Sequence, residues 1–109
     1  MTNSESLENV ILELRRGVIV LAVLSQLDEE QYGYSLLKLL GDRGLQIDQG
    51  TLYPLLRRLE SQNLLRSVWK IEATRPRRYY LISPEGKKTL ARLKKEWAGI
   101  VSTMEKMFS

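Results

Sequence analysis

The most regular pattern of apolar and polar positions lies in residues 48–66. Leu52, Leu55, Leu56 and Leu59 recur at i, i+3, i+4 and i+7, which places four leucines on one side of a helix. At 100° per residue the opposite side carries Gly50, Tyr53, Pro54, Arg57 and Ser61, with Arg58 on its flank. Asp48 is suited to the N-cap, where its carboxylate accepts from the first free N–H groups. Pro54 then falls inside the helix, removes the bond to the Gly50 carbonyl and predicts a kink. With Thr51 as the cap instead, the proline would sit in the first turn.

The remaining elements follow from the same patterning. Residues 1–6 are polar and expected to fray. A first helix is predicted over 6–27, with one stripe of Leu7, Ile11, Leu14, Val18, Leu21 and Ser25 and a second of Val10, Gly17, Val20, Leu24 and Leu27. A helix apolar on two sides is buried on two sides, one against its own core and the other against a second subunit. Asp28, Glu29 and Glu30 interrupt the pattern and read as a solvated connection rather than a catalytic or metal cluster. A second helix is predicted over 32–42, with Leu36, Leu37, Leu39 and Leu40 inward and Gly44 as its stop. Tyr32 and Tyr34 read as packing anchors around Gly33.

After Leu65 the period changes from helix to strand. Residues 66–72 set Trp69 and Ile71 against Lys70 and Glu72, predicting a strand with one buried face. Residues 77–82, rich in aromatic and branched side chains, are its expected partner, joined through a connection at Ala73 to Pro76. Tyr79 and Tyr80 are adjacent on that strand, so one is buried and one exposed. Ser83, Pro84 and Glu85 supply an N-cap, a first-position proline and a first-turn acid. The last helix then runs to about Met107, roughly 36 Å at 1.5 Å per residue. Along it Leu90, Leu93, Trp97, Ile100 or Val101, Met104 and Met107 or Phe108 recur at alternating threes and fours, a heptad seam. Nothing else in so short a chain is left to cover that seam, which predicts a homodimer.

The expected fold is mainly α with a small β-hairpin: a winged helix-turn-helix flanked by N- and C-terminal dimerisation helices. The 109 residues make one domain, with 28–82 as the winged core and 6–27 and 84–108 as the dimerisation helices. Composition trims the function classes. There is no cysteine and no histidine, so disulfides, redox chemistry and the commonest general base are missing, and soft-ligand metal sites are not expected. No nucleophile–base pair or phosphate-cradling loop is evident, so no catalytic residue, metal or cofactor is predicted. The most apolar run, Val18 to Leu24, is too short to span a bilayer, and the N-terminus does not resemble a signal peptide, so a cytoplasmic protein is expected.

Charge distribution is more informative than the net charge of +4. Between Arg57 and Arg78 stand seven basic and two acidic residues, an excess of +5, while the rest of the chain sums to −1. A basic excess confined to one contiguous fifth of the chain is the footprint of a phosphate-binding surface. A winged helix that docks only proteins is the competing class. It predicts a neutral or apolar outer face where Tyr53, Arg57 and Arg58 stand.

Three blocks then carry a resemblance. Tyr32-Gly33-Tyr34-Ser35-Leu36, Gly50-Thr51-Leu52-Tyr53-Pro54-Leu55-Leu56-Arg57-Arg58-Leu59-Glu60 and Arg77-Arg78-Tyr79-Tyr80-Leu81-Ile82-Ser83-Pro84-Glu85-Gly86 closely resemble, in order and spacing, the PadR family of bacterial transcriptional regulators. The resemblance implies a winged helix-turn-helix, usually a repressor, dimerised through its first and last helices on palindromic double-stranded operator DNA. Carried over by position, Gly50, Thr51, Tyr53, Pro54 and Arg57 fall on the recognition surface, and Arg75, Arg77 and Arg78 in or beside the wing. Arg58, on the flank of the same helix, completes the expected DNA-binding set. Asp48-Gln49 departs from the Ser-Pro that many members carry before Gly-Thr, and its charge is unfavourable beside a phosphate.

The expected dimer interface comprises Leu7, Ile11, Leu14, Leu90, Leu93, Trp97, Val101, Met104 and Phe108. The single C-terminal helix resembles the short, multidrug-responsive members, in which a tryptophan of this helix borders a central pocket, and Trp97 aligns with it. Trp97, Ile100 and Met104 would form an adaptable apolar wall for a planar aromatic or phenolic effector. Packing of Trp97 inside the dimer core is the alternative.

Overall fold

The computed structural model describes residues 4–109. In chain order it contains α1 (Ser4–Ser25), β1 (Gln31–Tyr32), α2 (Gly33–Asp42), α3 (Gln49–Ser61), β2 (Leu65–Glu72), β3 (Arg75–Ile82) and α4 (Pro84–Phe108). The strands form one antiparallel sheet in the order β1-β3-β2. Of the N-terminal segment expected to fray, Ser4, Glu5 and Ser6 are helical, and residues 1–3 lie outside the described residues.

The core is built where three helices meet the root of the sheet. Leu52, Leu55, Leu56 and Leu59 of α3 are all buried, against Leu36 and Leu40 of α2 and Leu65, Tyr80 and Ile82 of the sheet. From α1 and the turn after it come Ile19, Val23, Leu24 and Leu27. Ile19 and Val23 belong to neither stripe expected of this helix. Between Val18 and Leu24 every residue is apolar, so periodicity could not single out the inward side. The N-terminal half of α1 touches no core, and Leu7, Val10, Ile11, Leu12 and Leu14 are exposed.

Local chemistry sets the helix ends. The Asp48 carboxylate accepts from the Thr51 N–H at 2.7 Å, so Asp48 is the N-cap of α3 and Pro54 lies within a continuous helix. The α2 helix stops at Gly44, whose φ of +101° suits a residue without a side chain. At its start, the Ser35 hydroxyl accepts from the Tyr32 N–H at 3.1 Å and donates to the Gln31 side chain at 2.8 Å. This closure holds Gln31 and Tyr32 extended, opposite Tyr80 and Tyr79 respectively, as a strand too short for any periodicity to announce.

The hairpin departs from expectation at its outer end. It pairs continuously from Leu65 opposite Ile82 to Glu72 opposite Arg75, so only Ala73 and Thr74 form the turn and Pro76 lies in β3 opposite Ile71. Because β1 pairs only with Tyr79 and Tyr80, β3 has a free edge at Pro76, where a missing N–H is tolerated. Trp69 and Ile71, expected on a buried face, are 63% and 80% exposed. The ribbon projects past the body, and its outer half has nothing to pack on.

The root of α4 is fastened on two sides. The Ile82 N–H donates to the Leu27 carbonyl at 2.8 Å and the Ser83 N–H to the Leu64 carbonyl at 3.0 Å. The Ser83 hydroxyl donates to the Asn63 carbonyl at 2.6 Å and accepts from the Gly86 N–H at 2.9 Å. Gly86 lies so close to the preceding loop that a Cβ there would stand 2.1 Å from the Leu64 carbonyl oxygen. Leu90 and Leu93, expected in the intermolecular seam, are half-buried against the chain's own core, because this first part of α4 lies over the body. Beyond them Trp97, Ile100, Val101, Met104, Met107 and Phe108 are exposed.

Candidate nucleic-acid interface

With its four leucines turned inward, α3 presents Gly50, Thr51, Pro54, Arg57 and Arg58 to solvent. Tyr53, expected on that outer face, is half-buried. Its ring lies over Gly33, where an added Cβ would stand 2.3 Å from Cε1. The anchoring expected of Tyr34 is therefore performed by Tyr53, while Tyr34 is 60% exposed. Gly33 admits the ring and so seats α2 against α3.

Beside α3, the hairpin orders its charges by side-chain pairing. Glu60 at the C-terminal end of α3 accepts from both Arg78 and Ser67, and the Arg78 Nε–H donates to Ser67 at 3.0 Å. This half-exposed cluster ties α3 to both long strands. Arg77 lies over the Tyr32 ring at 4.4 Å and pairs with Glu72 at 3.1 Å. Tyr79 donates to the other oxygen of Glu72. Lys70 reaches Glu30 at 3.0 Å, so the acidic connection does have a partner.

Both acids of the basic run are thereby engaged, whereas Arg57, Arg58, Arg66 and Arg75 form no ion pair or hydrogen bond through their side chains among the described residues. Arg57 and Arg58 thus leave positive charge on the outer side of α3, and Arg66 and Arg75 on the ribbon face turned away from the core. Two tyrosines are perturbed beside it. Donation to Glu72 raises the Tyr79 pKa above its ordinary 10, and burial raises that of Tyr80.

Two concavities flank these elements. One, about 330 Å³, lies between α2, α3 and the hairpin, with Tyr34, Tyr53, Arg57, Trp69 and Arg77 among its walls. The other is an open apolar groove of about 700 Å³ between α1 and α4. It brings together Trp97, Ile100 and Met104 with Leu14, Val101 and Phe108; Leu93 also lines it, while Leu7, Ile11 and Leu90 do not.

Residues 20–92 match the transcriptional regulator PadR-like family. The chain belongs to that family. This PadR-like chain is 37% identical over 79 residues to the transcriptional regulator Rv3488 of Mycobacterium tuberculosis, a match covering 72% of the chain and 74% of that protein. Its fold superimposes on the crystal structure of a PadR family transcriptional regulator from Eggerthella lenta with a TM-score of 0.90 and 44% identity, over 96% of this chain and 94% of the other. A PadR family regulator from Clostridium difficile gives a TM-score of 0.77 at 32% identity, over 85% and 100% of the two chains. The winged helix fold and the role of transcriptional regulator follow from these matches.

Sequence reasoning overlooked three parts of the surface of this PadR-like regulator. Arg66 is an unpaired base on β2, Glu60 and Ser67 hold Arg78, and Lys70 reaches Glu30. Only the charge run hinted at Arg66. The other partners depend on a strand register that a patterning argument does not supply.

Proposed function

We propose that the chain binds double-stranded operator DNA sequence-specifically in the cytoplasm, as a homodimeric repressor that an aromatic effector releases. The observation that carries this reading is the set of unpaired guanidiniums on α3 and the hairpin. Residues 28–82 form the DNA-binding core. Gly50, Thr51, Pro54, Arg57 and Arg58 face the major groove, with Tyr53 as the seat of the helix. Arg66 and Arg75 neutralise phosphates. Arg77 and Arg78, already held by Glu72 and Glu60, chiefly set the position of the wing.

In this reading the flanking helices, 6–27 and 84–108, dimerise through the groove between α1 and α4 and the exposed surface beyond Leu93. A two-fold axis there would place the recognition helices about one DNA turn, roughly 34 Å, apart on a palindrome. A planar aromatic or phenolic compound against Trp97, Ile100 and Met104 would favour a different separation of the two α4 helices. It releases DNA only by as much as it prefers the unbound arrangement.

The test is retention of genomic fragments by the purified protein, followed by footprinting. Protection of two symmetric half-sites is expected. Retention of proteins but no DNA would replace this reading with the interaction-module one. For the effector, Trp97 emission is followed during titration with planar aromatics, with Trp97→Ala reporting the Trp69 background. If no compound quenches Trp97 or changes DNA affinity, the residue is dimer core.

A further inference from the structure

The hairpin has one face whose character changes along its length. On β2 this face carries Leu65, Ser67, Trp69 and Ile71, opposite Ile82, Tyr80, Arg78 and Pro76 of β3. At the root Leu65, Ile82 and Tyr80 are buried. Toward the tip the apolar character persists while the cover disappears, leaving Trp69 63% and Ile71 80% exposed, with Pro76 exposed beside Ile71. A contiguous apolar patch on a projecting ribbon marks a contact surface. The patch is also braced. The Arg78 guanidinium stands 5.8 Å from the Trp69 ring centre and is held by Glu60 of α3, so the ribbon's orientation is tied to that helix.

The charges around the patch select its occupant. Arg57 stands across the cleft that Trp69 lines, and Arg78, held by Glu60, backs the indole. The one acid near the tip, Glu72, belongs to the opposite face together with Arg75 across from it, and Arg77 and Tyr79 engage it there. An apolar edge with the unpaired Arg57 across its cleft and no acid on its exposed outer half fits a partner that offers apolar sugar faces and base steps between two rows of phosphates. A minor groove about 6 Å wide offers that. Isoleucine and proline are among the side chains that enter it as wedges and partly unstack a base step.

We infer that Ile71 with Pro76, and Trp69 behind them, form a minor-groove wedge that bends the duplex at each wing. This rests on the operator-binding reading and adds a mechanical action to it. Part of the sequence preference then comes from the ease of kinking a step that no side chain hydrogen-bonds. Pyrimidine–purine steps are favoured under the wing and stiff A-tracts disfavoured.

The experiment uses the full chain and a short duplex recovered by it from a random-sequence pool, with a fluorescent donor and acceptor at the two ends. Wild type is expected to raise energy transfer, by a bend within roughly 20–90°. Ile71→Ser should keep the fold, because the side chain is exposed, and still bind while transfer falls toward that of the free duplex. Arg75→Ala should weaken binding yet leave the bend of the bound fraction intact. Placing an A-tract under the wing should cost wild type several-fold in affinity and Ile71→Ser almost nothing. In a Trp97→Phe background, Trp69 emission should be quenched on binding. A duplex that binds and stays straight, or an equal bend with Ile71→Ser, overturns the wedge while operator binding stands. Failure of wild type to recover any duplex overturns both.

Discussion

Gly86 and Gly99 occupy the same helix, and the same substitution should move stability in opposite directions. At Gly86 an added Cβ would lie 2.1 Å from the Leu64 carbonyl oxygen and 2.7 Å from Ile82 Cγ1, more than 1 Å inside ordinary contact with a backbone atom. That carbonyl also accepts the Ser83 N–H at 3.0 Å, so relief of the clash pulls on the bond that seats α4. Overpacking of this kind costs about 1–3 kcal/mol, and a lost buried hydrogen bond about 1 kcal/mol more. Alanine's better helix propensity returns up to about 1 kcal/mol. A net loss of about 1–3 kcal/mol remains, or roughly 4–12 °C in Tm for a domain of this size. At Gly99 nothing lies within 4 Å of the added atom. It stands on the side of α4 opposite Trp97, so alanine should raise Tm by about 2–4 °C. The assay is thermal unfolding followed by circular dichroism at one fixed protein concentration. A Gly86→Ala Tm within about 1 °C of the parent, or the same sign for both variants, would refute the reasoning.

Arg57→Ala should weaken a matched operator more than random DNA, by about 1–3 kcal/mol. Arg75→Ala should weaken both alike and lower the salt slope by about one unit, read by fluorescence anisotropy at several salt concentrations; equal losses for Arg57→Ala would reassign that residue to phosphate. Val101→Asp, placing a charge in the groove between α1 and α4, should convert a dimer into a monomer in sedimentation runs, and an unchanged mass would remove α4 from the interface. At alkaline pH, Tyr80 holds its proton longer in the folded than in the unfolded state, because burial raises its pKa. Its contribution is therefore complete below about pH 10 and fades as pH rises through the folded value, and urea midpoints should fall less steeply above pH 10 in Tyr80→Phe.

What was legible in the chain were the features that local chemistry decides. Asp48 and Ser83 cap as their side chains and neighbours require, and the four leucines of α3 face inward because one helix period suffices to place them. Alternation along β2 correctly separates Trp69 and Ile71 from Lys70 and Glu72. It cannot tell whether anything covers the apolar side, because that depends on how far the ribbon projects. A four-residue connection would have paired Glu72 with Arg77, whereas the two-residue turn pairs it with Arg75. That change of register brings Arg78 opposite Trp69. Tyr53 and Tyr34 exchange their expected roles for a similar reason. A tyrosine that fits over Gly33 must be found in space, and the one that does so belongs to the next helix.

The bond from the Ile82 N–H to the Leu27 carbonyl makes the base of α4 a fulcrum. It joins the chain just past the end of α1 to the residue before Ser83, from which α4 runs out along the groove it shares with α1. With 25 residues, α4 is an arm of about 37 Å. A rotation of about five degrees at the fulcrum moves its far end by about 3 Å, while the core beside the root moves only a fraction of that. Mechanical advantage therefore runs from the tip inward: a small force near Phe108 exerts a large torque on the base. Side chains around Trp97, about half-way along the arm, have roughly half that leverage.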